Sequence, residues 1–361
     1  MELKARTKQW LPFAIGAAVF FFAANCISSV VTAQMDGLSC IFYLSAGAIF
    51  CGAVDILHKS WKAGGWHPQN LIVNGEVRWM NVLRFGIQCC LFFGIQSFIF
   101  LTMYYSHMAN VNVGIITTIW SIQPLAAAVL DYFIYGEKLM RHHVYGMLFI
   151  IASALCISFS NQAVMEVVIN APFLPGLPTP YKTDTPVVVI YDHSVPKWVA
   201  VLFGFLTPCF FVTSGLFIKH LTSPRVGFDA MTVSFATSCF SSIIIILIGI
   251  FWFWREVEVF RKQLFIIGIF GSIFDSVGKA CIQRAYSKGP AGPVSAFVEL
   301  NNVFLVIFEA FRQWQVPHFL ELLGFFLGIF GALVLSIPDD VYRFTKKFLC
   351  CCFFKLKNQE S

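Results

Sequence analysis

Charge is what this sequence has least of. Of its 361 residues only 12% are Asp, Glu, Lys or Arg, and 58% are apolar or aromatic; a soluble domain runs at about 25% and 45–50%. Too few charges remain to coat a water-facing surface. Disorder is excluded on the same ground, because it needs low hydrophobicity and high net charge. The net charge of +6 is small for this length and spread over both ends and several loops, so no basic stripe points to a nucleic-acid partner. Catalytic signatures are missing as well: there is no Cys-x-x-Cys pair, no zinc-type Cys/His spacing, no HExxH, no GxSxG elbow and no P-loop. The sequence therefore predicts no cofactor, no metal and no enzyme of the soluble type. No Asn-x-Ser/Thr sequon occurs, so glycosylation gives no clue to compartment.

The twelve cysteines do not form a disulfide framework. Nine of them, from Cys26 to Cys281, lie in apolar runs, where Cys acts as a small hydrophobe. The other three are adjacent in the tail, Cys350-Cys351-Cys352.

Long apolar runs are what the chain does have. A transmembrane helix needs ~20 apolar residues, and reading such runs between charged or Pro/Gly breaks predicts ten. The first five are Leu11–Val31, Gly37–Leu57, Val82–Met103, Val113–Ile134 and Val144–Phe159; the second five are Trp198–Ile218, Met231–Trp254, Leu264–Gln283, Val294–Phe311 and Phe319–Ile337. The expected fold is an all-α integral membrane protein of ten transmembrane helices in two inverted five-helix repeats. Residues 1–159 form the first repeat and 198–337 the second. Between them lies a loop, 160–197, with six prolines and a strand-like run, Val187–Tyr191. At under forty residues it is too short for a core of its own. With the amino terminus in the cytosol, 18 of the 25 Lys and Arg fall on the cytosolic side; the positive-inside rule then expects both termini there. The first run, about twenty residues after a basic end, reads as a retained anchor rather than a cleaved signal. The home membrane stays open: Golgi or other endomembrane, plasma membrane, or mitochondrial inner membrane.

The two halves echo each other. A shift of 178 places Asp131 on Glu309, Ser121 on Glu299 and Gly146 on Gly324, and both fifth helices end near a serine, Ser158 and Ser336. Five helices per half means the second repeat enters the membrane upside down, the architecture of many secondary transporters.

Gly114-Ile-Ile-Thr-Thr-Ile-Trp-Ser-Ile-Gln-Pro124-Leu, followed by Tyr135-Gly136-Glu137-Lys138, resembles the EamA-like part of the drug/metabolite transporter superfamily. Gly289-Pro-Ala-Gly-Pro293-Val-Ser-Ala296 and Phe308-Glu309-Ala-Phe311 resemble its second-half counterpart, although Trp314-Gln315 stands where a second Gly-Glu belongs. The resemblance implies a small organic solute moved by alternating access, with the lipid bilayer as surroundings and a homodimer as an option. Nucleotide-sugar transport is the runner-up within that class. A non-transporting membrane subunit of a larger complex is the alternative outside it.

Three ionisable residues fall inside predicted helices rather than at their ends: Asp275 and Lys279 in helix 8 and Glu299 in helix 9. Each costs roughly 2.5–3.5 kcal/mol at a helix centre on insertion scales, so each should face the protein interior. Asp275 and Lys279 are four apart and share a face. Ser272, Gln283 and Tyr286 extend that face into a polar stripe; Ser295, Glu299 and Asn302 make one on helix 9, Thr118 and Ser121 on helix 4, Asn25 and Ser28 on helix 1. The functional reading makes Lys279 an anchor for a substrate anion and Glu299 a proton or cation site, in a cavity that Asn25, Thr118, Ser121 and Asn302 help to line. The competing reading is a salt bridge that locks helices 8 and 9, with the Ser and Thr stripes as packing glue. Gly324, Gly328 and Gly331 read as a close-packing seam, Gly136 as a left-handed helix cap, and Glu137-Lys138 as a solvated loop pair. In the basic, Phe-rich tail, 338–361, Cys350, Cys351 and Cys352 are candidates for palmitoylation, or part of an amphipathic stub at the interface.

Overall fold

The computed structural model describes residues 9–32, 41–64, 69–73, 75–108, 120, 123–137, 140–168, 196–255, 260–301, 303–304, 308 and 319–336. The expected strand Val187–Tyr191, the tail cysteines Cys350, Cys351 and Cys352, and three expected cavity residues, Thr118, Ser121 and Asn302, lie outside them.

The described residues form α1 (Leu11–Thr32), α2 (Ala46–Ala63), α3 (Trp79–Met108), α4 (Gln123–Tyr135), α5 (Arg141–Val168), α6 (Lys197–Leu221), α7 (Ala230–Trp254), α8 (Lys262–Tyr286), α9 (Ala291–Val298) and α10 (Phe319–Ser336). Six of them, α1, α2, α3, α6, α7 and α8, are long and apolar enough to cross a membrane. Their serines and threonines satisfy themselves locally: the Thr102, Thr207, Thr237 and Ser241 hydroxyls each donate to the carbonyl four residues earlier, so an apolar helix carries them cheaply. Exposed tryptophans stand at helix ends, Trp61 and Trp79 where α2 finishes and α3 starts, Trp198 and Trp254 where α6 starts and α7 finishes. Such rings suit the membrane–water interface.

Helices end at breakers rather than where apolarity stops. α5 runs to Val168, nine residues beyond the expected Phe159, because no proline or glycine interrupts 160–168. Between α2 and α3 a short antiparallel hairpin pairs Ile72 with Val77 and Val73 with Glu76. Its turn carries Gly75 at φ 83°, a conformation only glycine adopts freely.

The main helix contacts are α5 with α10, α1 with α8, α3 with α6, α2 with α7 and α4 with α9. Glycines allow the closest approaches. Gly331 lies against the Gly146 carbonyl and Ile150, Gly328 against Val303 and Ser153, and the Ser153 hydroxyl donates to the Gly324 carbonyl at 2.5 Å. The α10 glycine seam is therefore a packing seam against α5. One buried cluster gathers Trp10, Ala14, Met147, Val294 and Phe297 around α8 and α9. A second, aromatic one joins Tyr43 to Phe253, Phe260 and Phe265 at the other end.

Candidate functional site

The polar stripe of α8 faces inward as its spacing requires. Ser272, Lys279, Gln283 and Tyr286 are all buried. The Ser272 hydroxyl accepts the Ala48 amide at 3.0 Å, tying α8 to α2. One turn on, the Lys279 ammonium meets the Asp275 carboxylate at 2.5 Å. The two ends of this pair differ: the Lys279 side chain is 6% exposed, that of Asp275 30%. The pair thus leads from a more accessible carboxylate to a buried cation. A lone ammonium here would bear the full cost of desolvation; the i, i+4 carboxylate offsets it. Lys279 also stands 5.3 Å from the centre of the Phe92 ring on α3, a cation–π contact.

Around Lys279 lies a small cavity of about 20 Å³, walled by Phe92 and Ile95 of α3, Phe211, Ser214 and Gly215 of α6, and Ile282, Gln283 and Tyr286 of α8. That is room for about one water. Gln88, one turn before Phe92, donates its amide to the Ser214 hydroxyl at 2.8 Å. The Tyr286 hydroxyl and the Ser295 hydroxyl of α9 are 2.7 Å apart.

Below the cavity, toward the C-terminal end of α8, two ionic clusters join elements far apart in sequence. In the first, Lys219 of α6 reaches Asp131 of α4 at 2.9 and 3.2 Å and Glu137 at 2.7 Å. Asp131, only 2% exposed, also accepts the Ala291 amide at the start of α9 at 2.9 Å. Lys219 stands 5.0 Å from the Tyr135 ring centre, and the Tyr135 hydroxyl donates to the Leu216 carbonyl. In the second, Asp229 at the cap of α7 holds Lys59 of α2 at 3.4 Å and Arg284 of α8 at 2.9 Å, while Asp55 binds Lys59 at 3.1 Å. Burial works against the Asp229 charge, but the Thr232 amide and hydroxyl, Lys59 and Arg284 prevail and hold its carboxyl below the ordinary value. The Asn70 side chain adds a bond to the Val226 carbonyl at 2.8 Å.

Of the expected site residues, the structure brings Asp275 and Lys279 together. Glu299 caps the end of α9. Asn25 of α1 donates to Asn301 at 3.4 Å, next to Asn302. Two expectations change. Glu137 is solvated but also reaches Lys219 across the bundle, while Lys138 lies outside the described residues. Asp131, a landmark of the repeat and a member of the helix 4 polar stripe, is a buried anion shared by three helices. Sequence reasoning missed Gln88 and Ser214 altogether. The available signal was a glutamine, one of two with Gln96, inside an apolar helix, where an amide must find a partner.

A family model described as the EamA-like transporter family matches residues 198–337. Among solved structures, one described only as the crystal structure of a protein is 14% identical, with a TM-score of 0.66. The alignment covers 93% of this chain and 99% of that one; at such low identity the likeness concerns the fold alone. No curated protein matches the sequence significantly.

Proposed function

Because the match over residues 198–337 places this integral, multi-pass membrane protein in the EamA-like drug/metabolite transporter superfamily, we propose that it is a secondary transporter of a small organic metabolite. It works by alternating access, coupled to protons or by exchange, and does no covalent chemistry. The carrying observation is the buried Asp275–Lys279 pair beside a cavity walled by α3, α6 and α8. Intramembrane charges are functional by default.

Ten spans in two inverted repeats account for most of the main helix contacts, although α7–α8, α5–α9, α8–α9 and α6–α8 lack a comparable counterpart among the described residues. Exchanging each helix with the one five places on turns α1–α8 into α6–α3, and returns α2–α7, α4–α9 and α5–α10 to themselves. All of these pairs occur, as do α2–α8 with its counterpart α7–α3 and α1–α9 with α6–α4. Such a frame gives two related bundles that rock about a central site. The ionic clusters close the end that the Lys/Arg distribution assigns to the cytosol. Lys219 against Asp131 and Glu137, and Lys59 against Asp229, each pair a residue of the first half with one of the second. Breaking them opens the cavity on that side.

In this scheme Lys279 binds an anionic or acceptor group of the solute, Asp275 is its ion-pair partner, and Glu299 carries the coupling proton or cation. Asn25, Thr118, Ser121 and Asn302 are the further candidate solute contacts, the last three lying outside the described residues. In proteoliposomes, Lys279→Ala and Glu299→Gln abolish uptake of the transported solute while the protein stays folded. Undiminished uptake by both variants removes the site assignment.

A further inference from the structure

The hairpin between α2 and α3 belongs to the first half of the chain, yet it is fastened to the second. The Asn70 side-chain amide donates to the Val226 carbonyl at 2.8 Å, across 156 residues of sequence. Both sides of this bond are shaped without it. On one side, the Arg78 amide donates to the Leu71 carbonyl at 2.8 Å. The pairing of Ile72 with Val77 and of Val73 with Glu76 then closes the segment on itself. Asn70 is also held from behind. Its backbone carbonyl accepts the Asn81 side-chain amide at 2.8 Å, and Arg84 donates to the Asn81 side-chain oxygen at 3.0 Å. On the other side, the turn after α6 presents Val226 through bonds of its own. The Ser223 carbonyl accepts the Gly227 amide at 2.8 Å, and the Leu221 carbonyl accepts the Phe228 amide at 3.1 Å. Gly227 sits at φ 74°, and a Cβ there would stand 2.8 Å from the Asn70 amide nitrogen. Glycine is thus required twice, for the turn and for the close approach.

Two pre-shaped pieces joined through one side chain make a detachable contact. Among the described residues, segment 69–78 is held to the second half by the Asn70 bond and by Leu71, which packs against the buried cluster containing Leu221, Val226 and Phe228. Parting them unfolds neither piece, and water can take over both ends of the bond. The contact also lies at the end that the ionic clusters close. The turn follows α6, beyond Lys219, and leads into Asp229, which holds Lys59 and Arg284. A neutral amide–carbonyl bond shifts an equilibrium by roughly two- to tenfold. That is enough to bias a two-state end and too little to freeze it.

On the transporter reading above, in which the ionic clusters close this end, we propose that segment 69–78 is a latch on the turn 222–228. Engaged, it holds the end shut; released, it lets Lys219 leave Asp131 and the halves part. The Ala291 amide reports that parting, because it belongs to the second half and donates to Asp131 of the first at 2.9 Å. Asn70 bonds to neither of them.

Hydrogen exchange of the full-length purified protein, read by mass spectrometry, tests the latch, since a cooperative opening exposes all the amides of its unit together. Asn70→Ala accelerates exchange over 222–229 by about two- to tenfold, and accelerates the distant segment 287–292 by the same factor. Gly227→Ala, which pushes a methyl group at Asn70 from the other half, produces the same distant effect. Either variant decides the question if the other does not fold. Glu76→Ala, on the exposed side of the hairpin, serves as control and changes neither segment. The proposal is overturned if acceleration stays within 69–81 and 222–229, because the bond then only staples a loop. It is overturned equally if neither segment responds, or if Glu76→Ala accelerates 287–292 as much. A purely local pattern leaves transport untouched. Absence of counterflow for every member of a broad metabolite pool removes the transporter reading instead, and leaves the coupled exchange of the two segments in place.

Discussion

Lys219 offers the sharpest test of how the cavity is closed. Its ammonium is the one cation bonded to Asp131 among the described residues, with the Lys219 side chain 14% and the Asp131 side chain 3% exposed. Lys219→Met keeps the length of the stem and removes the charge. Asp131 is then left buried with the Ala291 amide, and Glu137 loses its partner. Removing one member of a buried pair costs about 3–5 kcal/mol, mostly as the penalty of the anion left behind. Glu137, with a side chain 41% exposed, adds little, because water replaces Lys219 there. At roughly 2 °C per kcal/mol for a large domain, the apparent melting temperature in detergent falls by about 6–10 °C. Asp131→Asn in the same chain removes the stranded charge, and the double variant recovers to within about 1–2 kcal/mol of wild type. A double-mutant cycle in which the two losses simply add would refute the buried pair. So would a single-variant loss under about 1 kcal/mol.

Other expectations are equally direct. Gly47→Ala drives a methyl group into the Ile269 carbonyl and the Ile273 amide of α8, so α2 must move away. Overpacking of this kind costs about 1–3 kcal/mol, and an unchanged melting temperature would contradict the packing. Gly136→Ala meets nothing within 4 Å but must hold φ near 68°. The expected loss is about 1 kcal/mol of backbone strain alone, and a loss above 3 kcal/mol would show an unseen contact. Asp229→Asn tests the second cluster through pH. The folded carboxyl lies below its ordinary value of 3.8, so its contribution is present above that value and is lost as pH falls through the folded value. With 39% of the side chain exposed, screening limits the gap between wild type and variant to about 1 kcal/mol or less. That gap should persist through mild acid and close only below the usual carboxylate range; closure already near pH 6 would contradict the cluster.

How much of this was legible in the sequence follows from the range of the interactions. The helices were legible because burial in lipid leaves an unmistakable run of apolar residues; their ends were not, since α3 starts at Trp79 and α5 continues to Val168, where turn chemistry rather than apolarity decides. The hairpin at 72–77 went unread although Asn74-Gly75 is a strong turn signal, because strands of two residues show no alternation. The Asp275–Lys279 pair was legible as an i, i+4 spacing within one helix. Gln88 with Ser214 and Asp131 with Lys219 are 126 and 88 residues apart, and no periodicity within one helix names a partner on another. For the same reason the Lys and Arg count along the chain put Lys219 on the same side as Lys138 but not within reach of Asp131 or Glu137.

The central claim is that a solute crosses the membrane through the site at Lys279. Counterflow into proteoliposomes of the purified protein, preloaded with a metabolite pool and assayed with and without a pH gradient, tests it most directly. The account predicts accumulation of one solute class that Lys279→Ala eliminates. Silence from folded, correctly inserted protein across a broad pool would contradict it, and stable co-purification with a large complex would then identify a membrane subunit that keeps the transporter fold.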